Sequence, residues 1–137
     1  MRASLFYRIG SVLLVLFTLG HTVGFRQKTG VADADTVATL MRSIRFTVQG
    51  SQRTYWDFYV GFGLFVTVFL LFSAVLSWQL SRLSQEILAK IPAATWGLAI
   101  CFVSVTILSW NYFCIAPGVF STLITVCLVA GAWLSNR

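Results

Sequence analysis

The chain has 137 residues, of which 58% are hydrophobic, 15% aromatic and only 10% charged, with a formal net charge of +6. Soluble globular domains carry about 25% charged residues, so this composition excludes one and specifies an integral membrane protein. The positive balance does not point to nucleic acid, because the basic residues, from Arg2 and Arg8 through Arg26, Lys28 and Arg53 to Arg82, Lys90 and Arg137, sit at the ends of apolar runs and suit lipid headgroups.

A helix needs about 20 mostly apolar residues to cross the hydrocarbon core. Four runs qualify, at residues 9–25, 55–80, 93–113 and 117–134. They use most of the sequence and predict a single integral membrane domain over residues 1–137 with an all-α fold, a four-helix transmembrane bundle.

The first run follows Arg2 and Arg8, a layout shared with signal peptides. It closes on "GHTVGF", a polar feature that reads as embedded, so the run is taken as a span; cleavage would leave three. His21 is the only histidine. Gly20-x-x-x-Gly24 around it permits close approach of another helix. His21 then either donates to a neighbouring carbonyl or serves as a proton-handling or ligand-binding imidazole.

In the long connection that follows, Val37, Leu40, Met41, Ile44 and Val48 recur at helical spacing while Arg42, Arg45 and Gln49 fall elsewhere. This predicts a short amphipathic helix, on the membrane surface or docked across the bundle end, with Asp33 or Asp35 as its N-cap. At "RTYWDFYVGFG" Thr54 and Asp57 have the spacing of a capping box, and Arg53 stands four residues before Asp57 for an ion pair. The competing role for Asp57 is to orient and charge His21. Gly61 and Gly63 suit packing or ligand approach, since no phosphate-loop context surrounds them. The second run is longer than a span needs and must tilt or project.

Pro92 and Pro117 mark the starts of the last two spans, and the short link between these makes an antiparallel hairpin. Asn111 is placed to bridge helices through its amide. Tyr7, Tyr55, Trp56, Tyr59, Trp78, Trp96, Trp110, Tyr112 and Trp133 gather near span ends, as in an aromatic belt. Cys101, Cys114 and Cys127 show no C-x-x-C spacing and read as inert packing.

With an even number of spans, the first ends, the second begins, the third ends and the fourth begins on one side. That side collects His21, Thr22, Asp57, Tyr59, Asn111, Tyr112 and Cys114, while the other has an exposed loop with Arg82, Glu86 and Lys90. Polar groups at membrane depth face a bundle interior or a wet cavity. His21, Asp57, Tyr59, Asn111 and Tyr112 are therefore the expected ligand-binding residues, with His21 and Asp57 the candidate catalytic pair. One histidine and scattered cysteines make no metal set, and no cofactor motif is present. Basic residues divide five and five between the two sides; short loops weigh more, which puts both termini in the cytoplasm.

At "GHTVGF", "MRSIRF", "GSQRTYWDFYVGFG" and "YFCIAPGVF" the sequence resembles an uncharacterised family of small bacterial four-span membrane proteins, over nearly its whole length. The resemblance implies a bacterial cytoplasmic membrane and brings no activity, cofactor or site. Three functions fit the residues. The first is a non-catalytic module binding membrane lipid, a lipid-like ligand, a membrane-protein partner or a second copy of itself. The second is a membrane enzyme using His21 and Asp57 as an acid–base pair on an apolar substrate. The third is a small transporter, which the absence of charge from the middle of the spans disfavours.

Overall fold

The computed structural model describes residues 2–27 and 30–137; Lys28 and the side chain of Arg2, counted above among the interface cations, lie outside the described residues. In chain order the elements are α1 (Arg2–Gly24), α2 (Ala32–Ser43), β1 (Arg45–Val48), β2 (Ser51–Thr54), α3 (Tyr55–Ser81), α4 (Gln85–Lys90), α5 (Pro92–Tyr112) and α6 (Ile115–Ser135). Four of the helices, α1, α3, α5 and α6, are long and apolar enough to cross a membrane. The protein is a multi-pass, all-α membrane protein with one small hairpin added.

α1 starts ahead of the expected boundary because Arg8 lies on an exposed side of the helix and does not interrupt it. Pro92 occupies the first position of α5, where its missing N–H leaves no bond unmade. The loop after α3 contains the short α4, whose Leu88 is buried.

The connection between α1 and α3 departs from expectation. α2 is there, but its N-cap is Val31 without a side-chain bond, and Asp33 and Asp35 lie inside the first turn. There their charges oppose the positive end of the helix dipole instead of capping a single N–H. After Ser43 the helical spacing of Ile44 and Val48 is misleading, since these residues flank and enter an antiparallel hairpin pairing Arg45 with Thr54 and Val48 with Ser51. The two residues between the strands, Gln49 (φ +47°) and Gly50 (φ +79°), both adopt left-handed backbone, as a tight hairpin turn requires.

The chain forms two compact units, one of residues 1–18 and 70–137, the other of residues 19–69; the boundary falls within α1 and within α3. In the first unit, the start of α1, the end of α3, α5 and α6 build a helical core around Leu14, Leu70, Phe102, Ile124 and Leu128. Small hydroxyls tie the helices together. Ser11 Oγ donates to Ala74 O at 2.9 Å, Ser77 Oγ to Tyr7 O at 2.8 Å, and Thr125 Oγ1 to Phe102 O at 2.8 Å. Ser4 also donates to Ser81 O. Such bonds replace the hydrophobic effect that lipid cannot supply.

Tyr7 corrects the belt assignment. It is fully buried, with its ring against Gly131 and its hydroxyl beside Thr95 and Ser135. The other aromatics named above, from Tyr55 to Trp133, are exposed or partly so.

Candidate functional site

The site is built within the second unit, from the last turn of α1 outward. His21 presents Nε2 to Gly63 O on α3 at 3.0 Å. A carbonyl only accepts, so Nε2 is the donor and the proton sits there. The imidazole stacks on Phe25, centroids 5.1 Å apart and planes 24° apart. Phe25 in turn covers Gly63, where a Cβ would meet the ring at 2.5 Å. Thr22 and Thr67 share a hydroxyl bond of 3.0 Å, and Tyr59 Oη donates to Phe25 O at 2.9 Å. That carbonyl lies just past the end of α1, where intrahelical partners run out. Three polar contacts and one glycine therefore lock the end of α1 to α3.

Gly20 and Gly24 do not do this. A Cβ at either would meet nothing within 4 Å. The helix contact expected from the Gly20-x-x-x-Gly24 frame is made instead at Gly63, by an aromatic ring. Gly63, expected to suit packing or ligand approach, is the glycine that makes this contact.

Asp57 forms the capping box. Thr54 N–H donates to Asp57 Oδ2 at 2.8 Å, and Asp57 N–H donates to Thr54 Oγ1 at 3.1 Å, so two of the donors orphaned at the start of α3 are satisfied. Arg53, expected to pair with Asp57, donates to Gln52 O at 2.8 Å. The His21 to Asp57 pair is not formed: the imidazole is bonded to Gly63 and the carboxylate to the cap.

Around these anchors the structure assembles residues that the sequence does not place at the site. The Arg42 guanidinium of α2 lies 3.9 Å from the centroid of Trp56 in the first turn of α3. Phe46 of β1 packs on Tyr55 and Phe58, centroids 4.7 and 6.1 Å away, which seats the hairpin on the same turn. Two cavities flank the Arg42–Trp56 stack. One, of about 270 Å³, is bounded by Phe25, Arg26, Asp35, Arg42, Trp56 and Tyr59. The other, of about 250 Å³, is bounded by Arg42, Arg45, Gln52, Arg53, Trp56 and Asp57. Tyr59 lines the first and Asp57 the second; His21 lines neither and supports Phe25 from behind.

Asn111 and Tyr112 lie at the end of α5, in the other unit. The Asn111 amide donates to Ile107 O at 2.7 Å, closing on its own helix rather than bridging to another, and Tyr112 is exposed. Arg42, Arg45 and Trp56 carried a faint signal, the polar side of an amphipathic helix and an aromatic at a span start. Their convergence depends on the unexpected hairpin. Among the described residues no three His, Cys, Asp or Glu side chains cluster as metal ligands do. Comparison with protein-family models, curated proteins and solved structures finds no match.

Proposed function

We propose that the protein is a non-catalytic membrane module that binds a lipid-like ligand or a membrane partner at the polar face made by α2, the hairpin and the first turns of α3. One observation carries this reading: the Arg42–Trp56 stack with a cavity on either side. A guanidinium beside an indole, at the head of apolar helices, matches an amphiphile whose polar group needs a cation and whose body needs a ring. In this reading His21 and Asp57 are positioning residues, one holding Phe25 and the other capping α3. No contact supports acid–base chemistry between them, and the middles of the long helices contain no charged residue to carry an ion. The residence proposed is a bacterial cytoplasmic membrane with both termini in the cytoplasm.

The test is lipid retention. Delipidated protein in detergent is titrated with mixed phospholipids and examined by native mass spectrometry beside Arg42→Gln, which removes the cation common to both cavities. The expected result is a retained lipid on the native chain and a severalfold loss of it in the variant at unchanged helicity. Equal retention by the two proteins, or none by either, overturns the reading.

A further inference from the structure

Arg53 and Asp57 border two cavities at once. One is the cup already described, with Arg42, Arg45 and Arg53 on its walls; the other, about 240 Å³, continues from Arg53 and Asp57 along α3 past Phe58, Gly61, Phe62 and Phe65. The second set recurs at i, i+3, i+4 and i+7 and so occupies one helical stripe. Gly61 is its floor, since a Cβ there would meet nothing within 4 Å. Phe62 and Phe65 are its walls, 66% and 73% exposed. The cup has three guanidinium groups against one carboxylate, and that carboxylate is bonded to Thr54 N–H. A cationic cup thus opens onto an apolar furrow on the same helix.

We infer that this compound site holds one anionic phospholipid, with its phosphate in the Arg42, Arg45 and Arg53 cup and an acyl chain in the furrow over Gly61. The inference rests on the functional reading above and names its ligand class. Charge complementarity selects the occupant. A zwitterionic headgroup brings its own cation into a cup that already has excess positive charge, whereas an anionic one brings only the phosphodiester that guanidinium forks bind in two places. The furrow selects a lipid over a free phosphate, because an apolar stripe beginning at the same two residues gives a chain its natural exit.

The test compares phosphatidylglycerol with phosphatidylcholine of identical chains by native mass spectrometry of delipidated protein. Arg8 and Arg82 border a separate cavity in the other unit, so binding at the site is read as the difference between native protein and variants. The native chain is expected to favour phosphatidylglycerol by about tenfold, a typical return for charge-assisted bidentate bonds. Arg45→Gln with Arg53→Gln should abolish the preference. Gly61→Leu, which fills open space, and Phe62→Ala, which removes a wall, should each weaken phosphatidylglycerol binding while the arginines stay in place.

Equal retention of the two lipids, both lost in Arg42→Gln, overturns the anionic assignment and leaves the functional reading standing. Retention of neither lipid overturns both. A preference untouched by Gly61→Leu and Phe62→Ala, or displaced equally well by glycerol phosphate, reduces the site to surface anion binding and overturns the inference. With Cys101, Cys114 and Cys127 replaced by alanine, cross-linking of two Phe62→Cys chains in lipid-replete micelles would put a second copy in the furrow and also overturn it.

Discussion

Gly97 and Gly131 are both interior helical glycines, and the structure gives their alanine variants opposite signs. At Gly131 in α6 a Cβ would lie 2.9 Å from Tyr7 Cζ and 3.0 Å from Cε1, and Tyr7 is fully buried, so the ring has no free space into which to swing. At Gly97 in α5 a Cβ would meet nothing within 4 Å. Replacing a helical glycine with alanine gains about 0.5–1 kcal/mol from lost backbone freedom, and Gly97→Ala should show that gain alone. Overpacking a filled core costs about 1–3 kcal/mol, so Gly131→Ala should be destabilised on balance by up to about 2.5 kcal/mol. Reversible unfolding in mixed micelles of mild detergent and dodecyl sulfate, followed by circular dichroism, measures both. Tyr7→Leu in the Gly131→Ala background should recover part of the loss, giving a favourable coupling in the double-mutant cycle. Equal stabilisation by the two alanines would refute the packing of Tyr7 on Gly131.

Three further outcomes are expected. Thr54→Ala removes the acceptor of the Asp57 N–H and should cost about 1 kcal/mol, with amide exchange accelerated in the first turn of α3 and unchanged elsewhere. Asp57→Asn should leave the His21 imidazole resonances in place, because His21 is bonded to Gly63 and not to Asp57; a movement of those resonances would restore the pair as a catalytic candidate. Cys114 is exposed in the link between α5 and α6. With Cys101 and Cys127 replaced by alanine, a membrane-impermeant maleimide should label it on intact spheroplasts, and labelling only after lysis would reverse the proposed orientation.

The spans were legible because apolar length is a property of composition, and composition needs no tertiary information. The capping box was legible for a related reason: Thr54 and Asp57 are three residues apart and complete their bonds within one turn. Other features depended on distant partners. Arg45–Thr54 contains no long β-branched run and turns on Gln49-Gly50, a weak version of the usual Asn-Gly signal, so the 3.6-residue spacing of Val37, Leu40 and Ile44 extended into a segment that is not helical. The Gly20-x-x-x-Gly24 frame promised a helix contact that the backbone makes at Gly63. Serines in spans gave no directional signal, because each can bond its own helix as easily as another. Ser77 reaches Tyr7 O while Ser135 folds back to Gly131 O, and nothing in the local sequence separates the two cases. The site suffered most. His21, Asp57 and Tyr59 were found as residues, yet the cavities beside them are walled by Arg42 and Arg45, which reach the first turn of α3 only through the hairpin.

The central claim is that an amphiphile occupies the site at Trp56, and site-specific quenching tests it most directly. With Trp78, Trp96, Trp110 and Trp133 replaced by phenylalanine, Trp56 alone reports its neighbours. Phosphatidylglycerol brominated on its acyl chain, added at low mole fraction, should quench Trp56 saturably, and unlabelled phosphatidylglycerol should reverse the effect more effectively than phosphatidylcholine. Quenching that rises only in proportion to brominated lipid in the bulk bilayer, or no quenching at all, would contradict a ligand site at Arg42 and Trp56.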